Sequence, residues 1–158
     1  MQRFAADRML ARLARWLRLM GADVLFDPTL GGADLLQRSR DEGRMMITRD
    51  KRLRTAPDVI FLTANLFREQ LREVLTRCPF DPLAHAFTRC SACNEPLREL
   101  ERNLAARRVP PFVFASHDKF SCCPHCGRIY WEATHVTRAL AEIAQLIPSP
   151  ETDEKDEE

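Results

Sequence analysis

A chain of 158 residues with 45% hydrophobic and 30% charged residues is long enough for one hydrophobic core and a small second module, and too short for two full-sized domains. No run of eighteen apolar residues is present, so no membrane-spanning helix is expected. Asp7 stands where a signal peptide would have its apolar core, which makes a cytoplasmic location the default expectation.

The net charge of +1 is unevenly spread. Residues 1–80 carry 15 Lys/Arg against 10 Asp/Glu, residues 81–150 carry 8 against 7, and "ETDEKDEE" at 151–158 carries 1 against 6. A basic body suits a polyanionic partner. Fourteen of the fifteen cations in the first part are arginine, which favours planar contacts to phosphate or carboxylate.

In chain order, "MQRFAAD" reads as a short strand ending at Asp7. "RMLARLARWLRLMG" reads as a helix whose Met9, Leu10, Leu13, Trp16, Leu17 and Met20 form an apolar stripe, with Gly21 where a helix commonly stops. "ADVLFD" is a strand, "PTLGG" a turn and "ADLLQRSRDEG" a shorter helix opened by Asp34. "RMMIT" is a strand closed by Arg49 and Asp50, and "DVIFLTA" is the last strand of this part. "NLFREQLREVLTRC" is a helix with Leu66, Phe67, Leu71, Val74 and Leu75 available for the core. Alternating strands and helices predict an α/β fold, a mostly parallel sheet covered on both faces. "RMMIT" and "DVIFLTA" are apolar enough for its middle.

From "PFDPLAHAF" onward the composition changes. Residues 81–134 are expected to form a separate module with its linker, residues 1–80 preceding it. "HVTRALAEIAQLI" reads as a terminal helix within 135–148, with Val136, Leu140, Ile143, Ala144 and Ile147 on one side, and 149–158 as a disordered acidic tail. The prolines of "VPPFVF" discourage a central strand or helix there.

"CSAC" (Cys90, Cys93) and "CPHC" (Cys123, Cys126) are two-residue-spaced pairs of the kind that place four soft ligands around one zinc ion, joined by a segment able to form a hairpin: a zinc ribbon. The alternatives are disulfides or plain thiols, which a reducing compartment disfavours or leaves inert. Four thiolates leave no open position, so the zinc is expected to be structural. Cys122 and Cys78 read as packed thiols, and His117 and His125 as surface or outer-shell groups.

Asp7, Asp34 and Asp50 all fall at carboxyl ends of strands or the amino end of a following helix, and in an open parallel sheet these lie on one edge. If the first and third strands are neighbours, Asp7 and Asp50 converge there. Hard carboxylate oxygens suit Mg²⁺ or Mn²⁺, and a cation so held can activate water against a phosphodiester. The plainer alternatives are that Asp7 caps the helix starting at Arg8, that Asp34 is a first-turn acid, and that Asp50 pairs with Arg49, Lys51 or Arg52. Arg8, Arg12 and Arg15 form a polar stripe flanked by Arg18, able to meet a phosphate backbone or simply to solvate the helix.

The stretches "FAADRMLARLARWLRLMGADVLF", "GRMMITRD", "REQL", "RCSACNEPL", "VPPFVF", "CPHCGRIYW" and "TH", in this order over about residues 1–140, resemble the Mut-seven C-terminal RNase domain family, a branch of the PIN-like nucleases carrying a C-terminal zinc ribbon. The resemblance implies a PIN-like, RNA-cleaving fold followed by a zinc ribbon and a terminal helix. Its first-strand acid corresponds to Asp7, the acid of its Thr-Arg-Asp motif to Asp50, and the acid of the intervening helix to Asp34. The ribbon ligands correspond to Cys90, Cys93, Cys123 and Cys126, and Arg49 joins the arginine stripe among its basic positions. A full PIN site usually has four acids, for which Glu69 is a candidate.

The leading expectation is a metal-dependent ribonuclease: Asp7, Asp34 and Asp50 for Mg²⁺ or Mn²⁺, Arg8, Arg12, Arg15, Arg49 and Arg52 for backbone phosphate, and a structural zinc. The alternatives are an RNA-binding module without chemistry, and an interaction protein that meets a partner through its ribbon or acidic tail.

Overall fold

The computed structural model describes residues 2–145. The first part is a four-stranded parallel sheet in the order β2-β1-β3-β4, built from β1 (Arg3–Ala6), β2 (Asp23–Phe26), β3 (Met45–Thr48) and β4 (Val59–Phe61). A 3₁₀ turn over Arg8–Leu10 leads into α1 (Ala11–Leu19); α2 (Gly32–Asp41) joins β2 to β3, and α3 (Phe67–Arg77) follows β4. The period-two alternation of a strand explains the layering. Phe4, Ala6, Val24, Ile47 and Ile60 face α1 and α3, whereas Ala5, Met46 and Val59 face Leu35 and Leu36 of α2.

Four sequence expectations are corrected. "DVIFLTA" is an edge strand of three residues: its side chains are apolar because both faces of the sheet are covered, and among the described residues no strand pairs with its outer backbone edge. Met9 and Leu66 are 75% and 65% exposed, because each sits just before its α-helix begins, where the 3.6-residue period does not apply. Arg18, read as a flanking surface charge, is buried. "VPPFVF" contains the start of a short helix, tolerated because Pro111 occupies its first position, where no amide donor is needed.

The second part is an antiparallel sheet, β5-β6-β7, of β5 (Arg98–Leu100), β6 (Phe120–Cys122) and β7 (Ile129–Tyr130). Two short helices, α4 (Arg102–Ala105) and α5 (Pro111–Ser116), lie in the connection from β5 to β6, and Leu100, Ala105, Val109, Val113 and Phe120 make a small core of their own. The last helix, α6 (Thr134–Ala144), returns Leu140 and Ile143 to the core of the parallel sheet. Ile147 and the acidic tail lie outside the described residues.

The linker is pinned at Gly21, just past the C-terminus of α1. Gly21 has φ +90, and a Cβ there would lie 2.3 Å from the His85 carbonyl oxygen, so only glycine admits this approach. The Phe87 amide then donates to the Leu19 carbonyl at 2.9 Å, fixing the chain before the cysteines.

Candidate functional site at the carboxyl edge of the parallel sheet

Because β1 and β3 are neighbours, with Ala6 opposite Ile47, the residues that follow them emerge side by side. The Asp7 amide donates to the Ile47 carbonyl at 3.0 Å, prolonging the pairing by one residue. Asp7 is only 7% exposed, and its side chain makes no capping bond to the 3₁₀ turn after it. Its Oδ2 instead accepts the Thr48 hydroxyl at 2.7 Å, and the same Thr48 Oγ1 accepts the Asp50 amide at 3.0 Å. Asp7 and Asp50 are thus joined through one buried hydroxyl.

The Asp50 carboxylate caps the 3₁₀ turn over Lys51–Leu53, accepting the Arg52 amide at 3.0 Å, and takes the Arg52 guanidinium on both oxygens, the closest contact being 2.6 Å. The hydrogen bonds from the Arg52 side chain and then its amide hold the Asp50 carboxyl down at about 2. Arg52 itself is 84% exposed along its side chain. Of the three pairings open to Asp50 in the sequence, this is the one formed.

Asp34 stands exposed in the first turn of α2, whose N-cap is Gly31. Two arginines bracket that turn: a Cβ on Gly31 would lie 3.2 Å from Arg8 Nε, and one on Gly32 would lie 4.0 Å from Arg52 Nη2. The sheet edge therefore collects Asp7, Asp50, the Asp34 turn, Arg8 and Arg52. Arg49 adds a donor: its Nη2 bonds the Asn65 side chain, while its Nε is buried without an acceptor among the described residues. Such an orphan donor is rare in a native fold. Arg12 lies over the Phe67 ring at 4.4 Å, and Arg15 is exposed on α1.

The three aspartates do not form a set of ligands whose donor atoms all lie within 4.8 Å of one another; among the described residues the four cysteines do. Glu69, exposed in the first turn of α3, belongs to neither group; it lines an open cleft with Thr63, Arg72 and Glu73.

The cysteines lie on two matching turns. Cys93 N–H points to Cys90 Sγ at 3.3 Å and Cys126 N–H to Cys123 Sγ at 3.5 Å. Each turn closes on a left-handed residue, Asn94 (φ 69) or Gly127 (φ 72). Cys90 Sγ and Cys126 Sγ are 3.7 Å apart, close to the separation of about 3.8 Å that tetrahedral Zn–S bonds of about 2.3 Å impose. The donor set and spacing fit zinc. Burial opposes ionisation of Cys90, but the Tyr130 hydroxyl at 3.1 Å and nearby backbone amides hold its thiol down to about 6. Burial and the neighbouring sulfurs push Cys93 up to about 12. A divalent cation would bind these sulfurs as thiolates, so its uptake would release protons. Cys122 and Cys78 pack against the two cores, as expected of inert thiols.

The Mut7-C RNAse domain model matches residues 2–143. The chain belongs to this family. No curated protein and no solved structure matches it. Membership in a family of RNase domains gives this Mut7-C chain a nuclease-type function in outline, and no helix among its described residues is long and apolar enough to cross a membrane.

Within the Mut7-C chain the two parts are also bonded through Arg18 and Asn94, which sequence reasoning missed. Arg18, on α1, donates Nε and Nη2 to the Val24 carbonyl at 3.0 and 2.8 Å, and Nη1 to the Ser91 and Ala92 carbonyls at 3.2 and 2.7 Å. Asn94 returns the contact: its Oδ1 accepts the Val24 amide at 2.9 Å and its Nδ2 donates to Asp23 Oδ1 at 2.7 Å. Asp23 is held in turn by Arg44 at 2.8 Å. Thr48, Tyr130, Arg18, Asn94 and Asp23 are the supporting residues, and only Thr48, one step before the Arg49-Asp50 pair, had a local signal.

Proposed function

We propose that the protein is a metal-dependent ribonuclease that hydrolyses RNA phosphodiester bonds at the edge bearing Asp7, Asp34 and Asp50, and that zinc on Cys90, Cys93, Cys123 and Cys126 is structural. The observation that carries the reading is the Thr48 hydroxyl, which ties the buried Asp7 to Asp50 at the ends of adjacent strands. Supporting it, Arg8 and Arg52 flank the first turn of α2 and Arg49 Nε lacks an acceptor, so donors for phosphate surround the acids. The nuclease part is assigned to residues 1–80 and the ribbon with its linker to 81–134.

The acids offer hard oxygen ligands, the donor class of Mg²⁺ or Mn²⁺. A divalent cation held there would supply an activated water and offset charge developing on the phosphodiester. Asp7 is fixed by Thr48 and its backbone, and so is a rigid ligand. Asp50 becomes one when its carboxylate is freed from Arg52. An exposed ion pair of this kind is weak, and the released guanidinium is then available to a phosphate oxygen. Arg12 and Arg15 extend the positive ridge along α1 for the flanking RNA backbone.

Asp50→Asn tests the mechanism. Mn²⁺-dependent cleavage is expected to fall by at least about a hundredfold, the range in which loss of a single charge-stabilising group acts, with zinc content and the unfolding midpoint unchanged. Cleavage at the wild-type rate under matched Mn²⁺ would sink it. One observation favours a second reading, RNA binding without chemistry: the Asp50 carboxylate is already satisfied by Arg52 and the three acids form no common ligand set. That reading requires salt-dependent RNA binding that survives removal of divalent ions, and no cleavage with Mn²⁺ restored.

A further inference from the structure

We infer that Arg18, on the first helix of the nuclease part, is the counter-charge and brace of the cysteine centre, so that metal binding there and closure of the β2 edge form one coupled equilibrium. The inference rests on the zinc reading of the four cysteines and not on the aspartate site.

Arg18 is 5% exposed, and among the described residues its four hydrogen bonds go to backbone carbonyls and none to a carboxylate. A buried guanidinium so placed needs an anion nearby. Burial lowers the pKa of its guanidinium, and negative charge on Cys90, Cys93 and Asp23 acts in the opposite direction. Four thiolates around one dication leave a dianion, and Arg18 is positioned to offset part of it. The same side chain grips the carbonyls of Ser91 and Ala92, the two residues between the first pair of ligands, and so sets the curvature that points both sulfurs inward. It acts on the metal as an outer-shell partner acts on a ligand.

The other half of the coupling is at β2. This strand is one of the two edges of the parallel sheet, and an uncovered edge is a template for unwanted pairing. Both backbone groups of Val24 are taken up here, the carbonyl by Arg18 and the amide by Asn94, the residue directly after Cys93. Asn94 reaches Val24 from a left-handed conformation, its amide donating to the Cys90 carbonyl at 2.9 Å to close the cysteine turn. Loss of the metal relaxes that turn and withdraws both covers from β2. By linkage, the factor by which the metal favours closure of Arg18 on β2 is the factor by which that closure tightens the metal.

The test uses the full chain. Arg18→Met keeps the stem and deletes the charge and donors; chelator competition reads its zinc affinity, and hydrogen exchange reads the β2 amides with zinc bound and after chelation. Zinc affinity in Arg18→Met is expected to drop at least about tenfold, the outer-shell range. In the wild type, chelation is expected to speed exchange at Asp23–Phe26 while Met46 and Ile47 in the sheet centre stay protected. Tyr130→Phe, which touches Cys90 but not β2, should weaken zinc and leave β2 exchange in the loaded protein unchanged. Zinc affinity of Arg18→Met within about twofold of wild type, below any outer-shell effect, overturns the inference. So does β2 exchange that ignores chelation or rises equally across the whole sheet. Should Arg18→Met fail to fold, the wild-type chelation measurement decides alone. A wild-type chain that takes up no zinc overturns the zinc reading itself, whereas zinc bound without an effect on β2 overturns only the coupling.

Discussion

The Thr48 hydroxyl donates a hydrogen bond to Asp7 Oδ2 at 2.7 Å, and through that single buried oxygen the ends of two neighbouring strands are locked in register. The hydroxyl is both donor to a carboxylate and acceptor for the Asp50 amide, so a residue of the same shape without it leaves two groups unsatisfied. Thr48→Val should therefore lower stability by about 1–3 kcal/mol, the penalty for orphaning buried polar groups. It should reduce cleavage as well, because Asp7 loses the partner that orients it. Thr48→Ser should restore both. Urea unfolding beside single-turnover cleavage separates the two effects, and wild-type stability in Thr48→Val would remove the hydroxyl from the argument.

Arg52 competes for the carboxylate that a metal would use. Arg52→Ala frees Asp50, whose carboxyl is then expected to climb from about 2 toward the ordinary value near 3.9 while keeping its backbone bond. At neutral pH Asp50 stays ionised either way, so the expected outcome is tighter Mn²⁺ binding by a few-fold together with weaker RNA binding, the salt slope falling by about one. Titration of Mn²⁺ and filter binding at several salt concentrations read the two changes. If both quantities move in the same direction, Arg52 does not exchange between carboxylate and phosphate.

The parts of this molecule that repeat a local rule were legible in the sequence. The alternation of strand and helix gave the parallel sheet, and the two-residue spacing of the cysteines gave the four-sulfur cluster. Asp7 and Asp50 could be placed because strand ends share an edge, and the sheet order puts their strands side by side. What could not be read depends on partners distant along the chain. Arg18 sits one step from Leu17 on α1, and nothing local says that its guanidinium will meet carbonyls 73 and 74 residues later. Asn94 looks like a turn residue, which it is, and its second role at Val24 follows only from docking. Periodicity misplaced Met9 and Leu66 for a simpler reason, since both precede the first full helical turn.

Gly21 is the hinge on which that docking depends. Its positive φ and the His85 carbonyl at 2.3 Å from a would-be Cβ mean that Gly21→Ala meets both backbone strain and a clash with backbone that cannot swing away. The expected cost is about 2–4 kcal/mol, combining strain and overpacking. The acid edge is built from other strand ends, so cleavage per folded molecule should be unchanged. A chemical-denaturation midpoint equal to wild type would show that the linker is not held where this contact places it.

Acid should loosen the junction before it opens the sheet, and Asp23 gives the sign. Burial is the largest single influence on its carboxyl and acts to raise it. The hydrogen bonds from Arg44 and Asn94, with the Arg44 charge, outweigh burial and leave the folded value lowered. A group depressed in the folded state contributes stability that is fully present above its unfolded value, near 3.9, and is lost as pH falls through the lower folded value. Wild-type stability should accordingly decline on the acid side below about pH 4, with this term among the causes. Asp23→Asn removes the titrating charge and its charge-assisted bonds: it should be less stable at pH 7 by about 1.5–3 kcal/mol and show a shallower loss on acidification. Parallel pH-stability profiles test this directly. Profiles of equal slope would mean that Asp23 ionises alike in the folded and unfolded chain, contrary to its bonds with Arg44 and Asn94.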